Sequence, residues 1–293
     1  MIAGIFRQEG TLRLRSGWRL LLFAFLSALC IAFLGWALVP RPLRPGVEWP
    51  LYLTDIGGTL LATWVCLRLE NLPWGDVGLR IGARWARHLG LGFLLGCLVM
   101  LLGTLALWIA GGVHWAPRPG GGLRAMASGF GLYLLVALSE ELTFRGYGFQ
   151  RLLEGLGPWG AQLLGGLWFA WAHWSNPGMT HPVQKAWATL NITLAAVFLG
   201  YAYLRTRSLA LPIGLHLGWN WMQGSVLGFA VSGTTDDLGP WIAVVDLRRA
   251  PWFNGGTFGL EASVFGTGAC LATLLALAFL KDLSDDPSTG EAR

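Results

Sequence analysis

Charge is what this chain has least of. Of its 293 residues, 13% are Asp, Glu, Lys or Arg and 54% are hydrophobic. An ordinary soluble domain carries about 25% charged residues. A chain this long and this poor in charge needs an apolar solvent for much of its surface, and lipid is that solvent. Lysine is nearly missing: only Lys185 and Lys281 occur, and the net charge of +5 comes from dispersed arginines. No basic stripe forms, which excludes nucleic acid as a partner. Cys30, Cys66, Cys97 and Cys270 lie in separate apolar segments without C-x-x-C spacing. That excludes a zinc knuckle and a disulfide framework and leaves small packing residues. No H-E-x-x-H and no G-x-S-G occurs.

Long apolar runs fill the space that charge leaves. About 20 apolar residues cross a bilayer core as a helix. Candidate spans fall at 19–39, 51–69, 89–111, 125–154, 159–175, 187–204, 208–232 and 259–280. Lipid leaves free backbone groups unsatisfied, and no alternating barrel pattern appears, so the segments read as helices. The expected fold is all-α, a polytopic transmembrane helix bundle of about eight spans. The chain has 17 tryptophans, as expected where amphipathic rings settle at membrane interfaces. The first apolar run is too long for a signal-peptide core and ends at Val39-Pro40-Arg41 without a small-x-small site, so it reads as a retained helix.

With the N-terminus inside, the inner segments hold Arg7, Arg13, Arg15, Arg19, Arg68, Arg80, Arg84, Arg87, Arg145, Arg151, Arg205, Arg207, Lys281 and Arg293, fourteen in all. The outer ones hold Arg41, Arg44, Arg118, Arg124, Lys185, Arg248 and Arg249, which is seven. This bias predicts an integral protein of the cell (inner) membrane with both termini cytoplasmic. The chain divides into N-terminal membrane helices (1–124), a core (125–232), and an outer loop, last helix and polar tail (233–293). The outer loop at 233–258 reads as a connector, with a cap over the site as the alternative.

Few polar groups stand inside the apolar runs, and there each costs several kcal/mol, roughly 2.5–3.5 on insertion scales. Such groups mark function. Glu140 and Glu141 lie in Leu138-Ser139-Glu140-Glu141-Leu142-Thr143-Phe144-Arg145. Successive helical residues point about 100° apart, so the two carboxylates do different jobs. Glu141 and Arg145, four apart with the acid first, suit an orienting ion pair. Glu140 then faces elsewhere, as a base for water. Phe169 and His173 share a helix face, as do His216 and Asn220. A His/Asn pair one turn apart offers two convergent donors to one oxygen. Gly214 and Gly218 repeat at the same spacing, which permits close approach of a neighbouring helix.

The ordered set E-E-x-x-x-R, F-x-x-x-H and H-x-x-x-N resembles the CPBP family, the CAAX prenyl endopeptidase and bacteriocin-processing proteins. Every motif position is matched, by Glu140, Glu141, Arg145, Phe169, His173, His216 and Asn220. The resemblance covers 125–232 and implies an intramembrane endopeptidase acting on a membrane-associated peptide or protein. It implies that Glu140 and His173 activate water, that His216 and Asn220 bind the oxyanion, and that Glu141, Arg145 and Phe169 support them. It also implies a site opening to the cytoplasmic face. The family's metalloprotease label makes zinc a candidate cofactor, held, if at all, by Glu140, His173 and His216. The alternative is a non-catalytic scaffold or bacteriocin-immunity protein of the same family. A proton-coupled transporter is disfavoured because no internal repeat is found. For Glu140, near mid-depth, to meet His173, the fourth helix is expected to be long, roughly 125–154 and about 45 Å, tilted or partly re-entrant, with the part beyond Arg145 projecting past or along the inner surface.

Overall fold

The structure, a computed structural model, describes residues 13–42, 48–118, 122–234, 241–245 and 249–280. The polar tail from Lys281 lies outside the described residues. Eight principal helices follow one another: α1 (Ser16–Leu38), α2 (Trp49–Glu70), α3 (Ala83–Ile109), α4 (Leu123–Arg145), α5 (Tyr147–Ala172), α6 (Pro182–Thr206), α7 (Ala210–Trp221) and α8 (Val264–Phe279). A two-stranded antiparallel ribbon, β1 (His114–Pro117) with β2 (Ile242–Val245), pairs His114 with Val245 and Pro117 with Ile242. The fold is the expected all-α bundle.

Local chemistry sets the boundaries. Proline opens α2 and α6, where a missing N–H costs nothing. Asn71 and Arg207 close the same two helices in the left-handed conformation. Ser263 caps α8, its hydroxyl accepting from Gly266 N at 3.0 Å. The apolar character of α1 is not spent on the interior: of its 23 residues only Arg19 and Phe23 are buried, while Leu21, Phe25, Leu29, Phe33 and Trp36 face outward. Such a surface is stable in lipid.

Among the described residues, five stretches are long and apolar enough to cross a membrane: Ser16–Leu38, Trp49–Glu70, Ala83–Ile109, Leu123–Ala172 and Pro182–Thr206. The fourth of these is 50 residues long and contains both α4 and α5. Two expectations about this region need correction. The helix expected over 125–154 ends at Arg145, and α5 starts afresh at Tyr147. Between them Gly146 lies so close to the Leu142 carbonyl that a Cβ there would meet its oxygen at 2.2 Å. Within α5 the backbone leaves helical geometry at Gly157 (φ 69°, ψ 178°), just before Pro158. The single span expected over 208–232 is instead α7, 12 residues or about 18 Å long, followed by a π turn at Met222–Val226. Every residue of α7 from Ala210 to Asn220 is buried, so it is the central post of the bundle.

That post is set by a backbone seam with α3. A Cβ on Gly92 would meet Leu211 O at 2.3 Å, and one on Gly96 would meet Leu215 O at 2.3 Å. Reciprocally, Gly214 and Gly218 would meet Leu89 O at 2.0 Å and Phe93 O at 2.2 Å. Two small-xxx-small stripes therefore interlock, as packing between helices in lipid favours.

The two ends of the bundle differ. One carries the ribbon, where Trp115 Nε1 donates to Leu227 O at 2.8 Å, Asn176 Nδ2 to Ser232 O at 2.7 Å and Gly233 N to Phe258 O at 2.9 Å. The opposite end is tied by arginines. Glu70 accepts from Arg13 Nη2 at 2.6 Å and from Arg19 Nη1 and Arg151 Nη1 at 2.7 Å, and Tyr147 donates to it as well. Glu154 pairs with Arg19 and, at 2.8 Å, with Arg151.

Candidate active site

The bundle encloses a cavity of about 410 Å³ lined by Glu140, Phe169, His173, His216 and Asn220. The residues singled out in three separate sequence motifs therefore share one space. Helix α4 supplies Glu140, the C-terminal end of α5 supplies Phe169 and His173, and α7 supplies His216 and Asn220.

The adjacent glutamates separate as their helical phase requires. Glu141 is fully buried, and its Oε1 accepts from Arg145 Nη1 at 3.0 Å and from His216 Nδ1 at 2.8 Å. Arg145 also donates Nη2 to Ala196 O at 3.3 Å and lies 4.7 Å above the Phe169 ring. Its charge is thus met by an anion, a carbonyl and an aromatic face, which is what a buried guanidinium needs. The i, i+4 ion pair expected from the sequence is present.

Glu140 has no such partner. Its Oε2 is buried without a hydrogen bond and stands 3.7 Å from His216 Nε2, too far to bond directly. The two carboxylates flank His216, one at each ring nitrogen. His173 Nδ1 lies 2.7 Å from Phe169 O. A carbonyl only accepts, so Nδ1 carries the proton and Nε2 of the neutral ring is left with its lone pair. The Phe169 ring bridges the two histidines, with centroids 4.7 Å from His173 and 6.5 Å from His216.

A zinc site would need three or more donors converging on one point at about 2 Å. Among the described residues no group of three His, Cys, Asp or Glu side chains has that arrangement. His216 Nδ1 donates to Glu141, and its Nε2 lies 3.7 Å from Glu140 Oε2.

The sequence reading missed Glu261. It lies in a 3-10 turn (Leu260–Ala262) before α8, is 9% exposed and lines the cavity. Its Oε2 accepts from Ser232 N at 2.6 Å and Ser232 Oγ at 3.0 Å. The signal that marked Glu140, an acid in an apolar run, was present here too, within the stretch read as the last span.

Exposed residues mark the cavity mouth. Glu48, Ala172 and Pro177 are exposed and line it, with Asn176, Ser232 and Thr234 beside them, all at the ribbon end. The floor is formed by Phe169, Phe198 and Leu199, which are buried. Toward the arginine end, Leu209 N donates to Gly78 O at 3.0 Å and closes the start of α7.

Residues 123–222 match the family described as type II CAAX prenyl endopeptidase Rce1-like. The match begins with α4 and ends at the foot of the π turn, so it spans the three elements that carry the motif residues. Through this core, an integral membrane helix bundle with its polar groups gathered inside, the chain is similar to the CPBP family of CAAX-type intramembrane proteases.

Proposed function

We propose that the chain hydrolyses a peptide bond of a membrane-associated peptide or protein, using water activated by Glu140 and His173. The observation that carries this reading is the unbonded, buried Oε2 of Glu140 beside two histidines in one cavity. Glu140 takes a proton from water, and the oxygen attacks the scissile carbonyl carbon. His173 Nε2, freed as an acceptor by the Nδ1–H bond to Phe169, orients the same water. The carbonyl oxygen becomes an oxyanion. It is received by His216, which as the doubly protonated imidazolium donates Nδ1–H to Glu141 and Nε2–H to the oxyanion, and by the Asn220 amide one turn on. As the tetrahedral carbon collapses, the C–N bond breaks and Glu140 returns its proton to the leaving amine. Glu141 and Arg145 hold the assembly. No metal takes part in this scheme.

The test is cleavage of a fluorogenic membrane-peptide library by purified protein, wild type beside Glu140→Gln, with and without chelator. Cleavage should fall by about 10²–10⁴-fold in the variant, the range for loss of a general base, while chelator leaves the wild type unchanged. An equally active variant would remove Glu140 from its role. Loss with chelator, restored by zinc, would replace this mechanism with a metal-dependent one. A variant that fails to fold would favour the scaffold alternative.

Orientation bears on the substrate. Fourteen Lys and Arg residues in the segments read from the sequence as inner, against seven in those read as outer, support cytoplasmic termini in a cell membrane. With that orientation the mouth faces away from the cytoplasm, contrary to the opening implied by the resemblance. The substrate segment proposed is therefore one presented from the non-cytoplasmic side.

A further inference from the structure

Ser232 is one of three described non-glycine residues with positive φ, at 49°. The other two, Asn71 and Arg207, end helices. Ser232 ends nothing. It sits at the turn of a tight bridge in which Val231 N donates to Thr234 O at 3.0 Å and Thr234 N to Val231 O at 2.9 Å. Val231, Ser232 and Thr234 all line the cavity. A non-glycine residue in this region is held there by its surroundings, and such residues gather at ligand-binding sites.

The holding groups are visible. Asn176 Nδ2 donates to the Ser232 carbonyl at 2.7 Å, and Glu261 Oε2 accepts both from its N–H and from its hydroxyl. Gly178 and Gly233 press together behind the turn, where a Cβ on Gly178 would meet Gly233 Cα at 2.6 Å. The turn is thus a fixed wall of the cavity. One oxygen of Glu261 holds it. Among the described residues no donor reaches the other, Oε1, although Glu261 is nine-tenths buried and lines the cavity with His173 and His216. That oxygen is not sealed from the cavity, so a ligand lying there can reach it. An extended peptide brings donors at its backbone N–H groups.

Building on the protease reading, we propose that Glu261 is a substrate-binding residue: Oε1 accepts an N–H of a peptide lying along the Ser232 turn, in the cavity that Glu140 also lines. The residue lies outside the segment that matches the family, 123–222. The peptide is then gripped by a part of the chain separate from the part that cuts it. Nothing is transferred at Glu261, whose task is to fix the register of the scissile bond.

Glu261→Gln separates this role from mere support of Ser232. The glutamine carbonyl still accepts from Ser232 N, but the atom turned to the cavity becomes an NH₂ donor where an acceptor stood. The probe is a set of fluorescein-labelled ten-residue apolar peptides, read by anisotropy on full-length protein carrying Glu140→Gln to prevent turnover. Adding Glu261→Gln should weaken binding by about tenfold to a hundredfold, the loss of a hydrogen bond to a charged group, with an unchanged unfolding midpoint. In the active protein the same change should act mainly on KM. Ser232→Gly keeps the N–H and the left-handed backbone, and should bind within about twofold of the parent because Oε1 is untouched. Unchanged binding by Glu261→Gln, or an equal loss with Ser232→Gly, would overturn the proposal. Binding lost in Glu261→Gln when no protein cleaves any peptide would fail the protease reading and leave this one standing.

Discussion

Neighbouring glutamates with opposite fates define the site at the scale of single residues. Glu141 is fully buried between Arg145 and His216, whereas the Glu140 side chain is 24% exposed and bonds nothing. Removing one partner of a buried pair leaves an uncompensated charge, at about 3–5 kcal/mol. Glu141→Gln should therefore lower the thermal unfolding midpoint clearly, while Glu140→Gln should leave it near wild type and abolish cleavage. Thermal unfolding of both purified variants, beside the cleavage assay, checks this; equal midpoints would refute the division of labour. The sequence made that division legible, because a helix turns adjacent side chains apart and an acid four residues before an arginine pairs with it. It was silent on the hydrogen bond from His216 to Glu141, which joins positions 75 apart. Local spacing carries no information about which helices become neighbours. Glu261 was missed for a different reason: a lone acid with no partner at helical spacing gives a pattern search nothing to complete.

Elements place these residues, and the seam between α3 and α7 does most of that placing. A side chain at position 218 would have to pass through the Phe93 carbonyl, 2.2 Å from an ideal Cβ. Backbone cannot yield as a flexible side chain does. Gly218→Val should cost about 1–3 kcal/mol as overpacking and shift His216 and Asn220, with cleavage falling more than helix content. Circular dichroism with the cleavage assay measures both, and a fully active Gly218→Val protein would show that the seam does not set the site. Half of this seam was readable from Gly214 and Gly218; the matching Gly92 and Gly96 stood in an apolar run that read only as a span. The break at Gly146 was hidden because hydrophobicity continues through it. Gly157-Pro158, by contrast, marked a span boundary in the sequence, and α5 kinks there. The ribbon joins segments more than 120 residues apart, too short and too distant to be recognised beforehand.

On the scale of the whole molecule, sidedness is the property that decides what the cavity meets. The mouth lies at the ribbon end and the cation-rich connections at the other. With the four native cysteines replaced, Ser175→Cys reports the ribbon end and Ile81→Cys, 78% exposed, the arginine end. In intact bacterial cells a membrane-impermeant maleimide should label Ser175→Cys at once and Ile81→Cys only after lysis. The reverse order would turn the mouth toward the cytoplasm and restore the opening that the resemblance implies. Composition alone disclosed the solvent of this molecule; the direction of its mouth required the fold. The glycine seam has a mechanical corollary. Where backbones touch at four glycines there is no slack, so α7 behaves as an anvil that neither slides nor rotates when a peptide arrives. Elsewhere the cavity is lined by side chains such as Leu132 and Val136 on α4 and not by interlocked backbone. A peptide that enters at the ribbon end is therefore worked against a fixed anvil, and any fitting falls to the walls built of side chains.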